Sequence, residues 1–283
     1  MTAFATLPMY AAPPEALAAF WDGVRSRLAA GGVAEAQAAL VQSRDLLADW
    51  RSHDLLFGQT CGSPFSTVLR DEVVLVGVPH YAAPGCEGPL YRSLLVVRED
   101  DPAEATADLV GRRAAINGFE SHSGFSQLVA TLAPFANGRR VIGETVVSGA
   151  HLRSLALLRE GVADVAAIDC VTWALAARDD PGAIEGLRII GHSQPSLGLP
   201  FIASRRFGAE AIDALRGALV VAVRDPALEA ARAGLMLTGV SFPTPNAYRG
   251  HAEAAQAARR ALESSQGPLP TTGQRLERRS GRG

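Results

Sequence analysis

The chain has 283 residues, 48% of them apolar and 20% charged, with a formal net charge of −2. At roughly 150 residues per domain, this length predicts about two domains with real cores. All 27 basic residues are Arg, and no long basic run marks the body of the chain, which excludes nucleic acid or an anionic membrane as the main partner and points to a small molecule.

In chain order, Phe4 to Leu7 reads as a short strand stopped by Pro8. A helix follows Pro13-Pro14, with Leu17, Phe20, Trp21, Val24 and Leu28 on one apolar stripe. Between Gly31 and Trp50 only a helical turn at Leu46 to Trp50 is legible. Asp54 to Gly58 reads as a buried strand, and Gly62-Ser63-Pro64 punctuates before a second helix through Val68 and Leu69. A strand at Val73 to Val78 leads into the Pro/Gly-rich stretch His80 to Pro89 and a further strand at Ser93 to Val97. Such a segment is a suitable place for the chain to change domain.

Beyond it, strands at Arg113 to Ile116, Glu144 to Val147 and Asp164 to Ile168 alternate with helices beginning near Ser123, Ala150 and Thr172. This alternation predicts parallel strands joined by crossover helices. Strands at Leu187 to Gly191 and Leu199 to Ala203, helices at Ala209 to Leu219 and Pro226 to Leu235, an extended Ser241 to Tyr248 and a last helix at Ala252 to Glu263 complete the chain. Residues 266–283, rich in Gly, Pro, Ser and Arg, are expected to be a disordered tail. No apolar run approaches the roughly 20 residues that span a bilayer, and Met1 to Tyr10 lacks the positive start of an export signal.

Cys61, Cys86 and Cys170 are widely separated, lack CxxC spacing and are odd in number, which points away from a disulfide framework or a structural zinc site. His53, His80, His192 and His251 show no metal-ligand spacing and read as structural.

The chemistry concentrates where strands hand over to helices, at the carboxyl edge where α/β sheets bind ligands. In Asn117 to Phe125, Ser121 and Ser123 offer hydroxyls, and Gly124 allows close backbone approach. The unpaired N–H groups of the following helix suit a tetrahedral oxyanion. The same serines equally suit a plain helix cap. The next junction places His151 in the first turn of a helix, either facing the same cleft or as a surface residue. The third places Asp169 at the end of a buried strand, as an acceptor for a protonated ligand or as a cap. Tyr10, Gln59 and Thr60 lie just past strands of the first half and form the expected opposing wall. Cys61, beside Gly62 at a helix start, is a weaker candidate nucleophile with no base at a recognisable spacing.

Taken in order, Leu7-Pro-Met-Tyr10, Leu55-Leu-Phe-Gly-Gln-Thr-Cys-Gly62, Asn117-Gly-Phe-Glu-Ser-His-Ser-Gly124, Ser148-Gly-Ala-His151 and Gly161-Val-Ala-Asp-Val-Ala-Ala-Ile-Asp169 resemble the phosphate/phosphite/phosphonate (PhnD-like) substrate-binding proteins of ABC transporters. The resemblance implies an α/β, two-lobed type II periplasmic-binding-protein fold with two crossover strands and a ligand cleft between the lobes. It implies lobe one at 1–82 with 191–265 and lobe two at 83–190. Ser121, His122 and Ser123 match the Ser-Thr-Ser run that holds the phosphonate group, and His151 matches the histidine opening the next helix. His122 replaces a Thr, which removes a hydroxyl and adds a nitrogen donor, and the acids that would hold an aminoalkyl group lack a clear match beyond Asp169.

The resemblance further implies a monomer that needs no cofactor, captures a small anionic ligand and delivers it to an ABC permease. The location is periplasmic if a leader precedes this chain and cytoplasmic if it does not. Two alternatives stay open on the same fold: an enzyme acting on a small phosphorylated metabolite, as in proteins resembling pyrimidine-precursor or menaquinone-pathway enzymes, and a sensory binding module.

Overall fold

The computed structural model of the protein describes residues 3–269, so of the tail expected at 266–283 the part 270–283 lies outside the described residues, while Gln266 is still the last residue of a helix. From the N-terminus run β1 (Phe4–Thr6), α1 (Pro14–Ala30), β2 (Ala39–Leu40), α2 (Leu46–Arg51), β3 (Leu55–Gln59), the short α3 (Gly62–Ser66) and the long β4 (Val73–Tyr81). After the Pro/Gly-rich crossing come β5 (Leu90–Tyr91), β6 (Ser93–Arg98) and β7 (Arg113–Ile116), then a π turn over His122–Ser126 that leads into α4 (Gln127–Leu132). β8 (Glu144–Val147), α5 (His151–Arg159), β9 (Val165–Asp169), α6 (Cys170–Asp179) and β10 (Leu187–His192) follow. The chain returns through β11 (Ser196–Leu197) and β12 (Phe201–Ser204) to α7 (Ala209–Ala222), α8 (Glu229–Gly234), β13 (Leu237–Ser241) and α9 (Arg249–Gln266).

Two sheets result, ordered β13-β4-β12-β3-β1-β2 and β10-β6-β9-β7-β8, while β5 and β11 pair as a small ribbon where the two crossings meet. The alternating stretch forms the expected parallel pairs β7 with β8 and β7 with β9. β6 and β12, which follow the two crossings, run antiparallel to their neighbours, and both sheets are therefore mixed rather than parallel throughout. A strand that enters a sheet from the other lobe needs no crossover helix, so its direction is free.

The apolar stripe of α1 packs as its spacing predicts: Phe20, Trp21, Val24 and Leu28 are buried, and the Trp21 ring stacks on Phe57 of β3 at 5.5 Å. Three local expectations are corrected. The helix through Val68 and Leu69 ends at Ser66, because Thr67 leaves helical backbone (φ −118°, ψ −93°), although Leu69 is still fully buried. A strand, β13, precedes the extended Ser241 to Tyr248, where Pro245–Tyr248 forms a 3-10 turn. Helix α9, expected at 252–263 with lobe one, is longer and bridges: it packs on α3 and, through Ala258 and Leu262, enters the core of the second sheet.

Candidate ligand-binding cleft

The carboxyl ends of β7 and β8 are tied together by backbone. Ser148 N–H and its hydroxyl both donate to Ile116 O, at 2.8 and 2.9 Å, and Gly149 N–H donates to Asn117 O at 2.9 Å. These bonds bring the two following turns side by side. In the first, Ser121 is the N-cap, and its Oγ accepts from Gly124 N–H at 3.0 Å. The cap reading of Ser121 thus holds, while the residue also lines the cleft. In the second, His151 opens α5, and its Nε2 lies 2.8 Å from Ser123 Oγ. Burial pulls His151 down to about 4, so the ring is neutral at pH 7, as suits a helix N-terminus that repels a cation.

Asp169 ends β9 and caps α6, accepting from Val171 N–H at 2.7 Å and Thr172 N–H at 3.3 Å. Its other oxygen accepts Tyr10 O–H at 3.1 Å from the opposite lobe. Burial lifts the carboxyl to about 6 against the lowering effect of these donors, and burial with the neighbouring Asp169 holds the Tyr10 hydroxyl well above its usual range. Tyr10 therefore remains a neutral donor. A cleft of about 940 Å³ lies between the lobes, lined by Tyr10, Ser121, Ser123, His151 and Asp169 together with residues of α2.

Three expected residues do not line this cleft. Gln59 is buried and donates from Nε2 to Tyr81 Oη at 2.9 Å and Leu199 O at 3.2 Å, so it clamps the crossings. Thr60 is buried, with its N–H on Pro200 O. His122 turns away: its ring stacks on His251 at 3.8 Å between centroids, and its Nε2 lies 3.1 Å from Ser196 Oγ and 2.9 Å from Gln127 Nε2. His122 is thus packed at the junction of α4, β11 and α9 and is not on the cleft wall. His251, read as structural, is the partner that makes this packing possible, and Gly62 leaves room for it: a Cβ at 62 would stand 2.3 Å from the His251 ring.

Cys61 does line the cleft, but its sulfur accepts His122 N–H at 3.4 Å and burial pushes its thiol up, the wrong direction for a nucleophile. Sequence reasoning missed the wall supplied by Arg44, Leu46, Leu47 and Trp50. The available signal was Asp45, an N-cap whose carboxylate accepts Ala48 N–H, just ahead of Leu46-Leu47.

Residues 61–248 match the family model described as ABC transporter, phosphonate, periplasmic substrate-binding protein. The chain belongs to this family. Its members are periplasmic binding proteins that serve ABC transporters, and among the described residues no helix is long and apolar enough to cross a membrane. No curated protein matches the chain by sequence. A binding protein component of an ABC phosphonate transporter from Pseudomonas aeruginosa superposes with a TM-score of 0.72 at 13% identity, covering 93% of this chain and 88% of that one. PhnD1 from Prochlorococcus marinus in complex with methylphosphonate gives 0.71 at 12% identity over 90% and 98% of the two chains. A protein from Xanthomonas citri bound to ATP gives 0.68 at 17% identity over 94% and 100%. These likenesses establish the two-lobed α/β fold of this family member.

Proposed function

We propose that the protein captures a small phosphonate or phosphate-type oxyanion between its lobes for ABC-type import. The observation that carries this reading is the Ser123 Oγ to His151 Nε2 contact of 2.8 Å on the wall of a cleft that is also lined by the Tyr10–Asp169 bond joining the lobes. With His151 Nε2–H donating to Ser123 Oγ, the Ser123 hydroxyl is left to donate to an anion's oxygen, and the helix starts behind them supply dipole and N–H groups. Tyr10 on one lobe and Ser121, Ser123, His151 and Asp169 on the other would then close on the ligand as the lobes hinge. We take lobe one as 1–82 with 191–265 and lobe two as 83–190, with α9 bridging them.

The ligand's organic part is apolar in this reading. The cleft has the volume of a drug-sized ligand, and its lips carry Leu46 from one lobe and Val147 and Leu152 from the other, each about two-fifths exposed at 40%, 39% and 38%. Asp169 already accepts three hydrogen bonds and offers little to an ammonium group. Calorimetric titration with phosphate, methylphosphonate, phenylphosphonate and 2-aminoethylphosphonate tests both parts. One site per chain is expected, with phenylphosphonate the tightest. No heat with any of the four overturns oxyanion capture, and a preference for the aminoethyl compound overturns the apolar assignment alone.

A further inference from the structure

Cys86 in the first crossing and Cys170 at the start of α6 stand 84 residues apart in sequence, yet their sulfurs lie 3.5 Å apart. The approach is built into the backbone. Cys86 N–H donates to Ala83 O at 2.9 Å, closing a tight turn, and Cys170 N–H donates to Arg92 O at 3.1 Å. Between them Gly85 adopts φ +99°, a conformation that favours glycine. A Cβ at that position would also stand 3.2 Å from Cys170 Cβ and 3.4 Å from its sulfur. The turn is thus packed tightly against Cys170. Cys170 is fully buried and Cys86 only partly, so one thiol of the pair is open to an incoming reagent. The third cysteine, Cys61, is engaged elsewhere, with its sulfur on His122 N–H.

We propose that Cys86 and Cys170 are a covalent modification site that closes into an intramolecular disulfide, stapling the first crossing to the N-terminus of α6 beside Asp169. The oxidant is a disulfide-bearing molecule, R–S–S–R. The Cys86 thiolate attacks one of its sulfurs and expels RS⁻. Cys170 then gives up its proton and attacks the Cys86 sulfur of the mixed disulfide, expelling the second RS⁻. Two protein thiols become one S–S bond and R–S–S–R becomes two R–SH, so atoms and electrons balance. The periplasm, where this family works, is a compartment in which such bonds persist. The partners need only close from 3.5 Å to about 2 Å. Once formed, the bond fixes the crossing on lobe two, so hinge motion is confined to the lobe-one side of Cys86.

The test uses the full chain isolated without reductant and equilibrated with oxidised glutathione, then alkylated in denaturant for thiol counting and peptide mapping. One free thiol per chain is expected, on Cys61, against three after reduction, with the peptides containing Cys86 and Cys170 linked. Reduction should also lower Tm by roughly 4–10 °C, as expected for a bond closing a loop of this length in a chain of this size. Cys86→Ser and Cys170→Ser should each abolish that redox dependence. Three free thiols after oxidation, a link through Cys61, or a glutathione adduct that stays on Cys86 would overturn the proposal. The thiol count on the unsubstituted chain decides it even where a variant fails to fold.

Discussion

His122 and Ser123 are neighbours in the chain and end on opposite sides of one turn. Ser123 faces the cleft and meets His151, whereas His122 points into the packed junction of α9, β11 and α4 and stacks on His251. The turn that separates them is a π turn, with Ser126 N–H on Ser121 O and Gln127 N–H on His122 O. Successive side chains on a helical turn point about 100° apart, which lets Ser123 meet the cleft while His122 enters the packed junction. Burial lowers His122, His151 and His251 alike, yet of these only His151 lines the cleft. One region should therefore govern affinity and the other stability.

Substitutions can separate the two. His251→Ala removes a buried ring, its stack on His122 and its 3.0 Å bond to Leu197 O, and should cost about 3–4 kcal/mol of unfolding free energy. Oxyanion affinity in the fraction that stays folded should change less than threefold; a loss of affinity larger than the loss of stability would erase the distinction. Acidification is the next largest effect. His251 titrates at about 4 in the folded chain and at 6.5 unfolded, so the unfolded state binds the proton first and stability falls as pH drops from 6.5 to 4. His151 and His122 act in the same direction. Asp169, raised to about 6, holds its proton more tightly when folded and opposes them over part of that window. A net loss of at least about 3 kcal/mol is expected in urea titrations between pH 7 and pH 4, and a flat or inverted profile would contradict it.

Ser123→Ala should weaken oxyanion binding by about 1–3 kcal/mol while leaving Tm within about 2 °C, measured by calorimetry and thermal melts. An unaltered affinity would make Ser123 a packing residue like His122. The smallest effect expected is Tyr10→Phe, which removes only the bond across the lobes to Asp169. Affinity should fall by about 1 kcal/mol, and small-angle scattering of the unliganded chain should shift toward a more open form. A profile identical to the parent would mean that this bond does not bias closure.

Much of this arrangement is legible in the amino-acid order. The α1 stripe follows helical spacing, and the apolar runs at β4, β6, β7 and β9 match buried strands, because a face removed from water must be apolar at the period of its backbone. The three strand-to-helix junctions carrying Ser121, His151 and Asp169 are equally visible, since a parallel α/β unit has its ligand edge at the strand's carboxyl end. The reading fails where a partner is remote. Nothing near Thr60, Gln59 or His122 announces that Pro200, Tyr81, Leu199 and His251 will occupy their polar groups and faces. The β13 strand escapes notice because Gly239 interrupts its apolar pattern, and its pairing with β4 supplies the missing order.

By itself, then, the sequence determines a small-ligand protein of about two lobes, the places where strands give way to helices, and the donor-bearing residues at those places. Each of these depends on local spacing and on the demand that apolar faces be buried. Tertiary structure alone decides which donors share the cleft, which histidine is sequestered, and that Cys86 meets Cys170 across 84 residues. Those outcomes depend on how two chain crossings fold back between two sheets, and contacts made at such separation leave no periodic mark on the residues that make them.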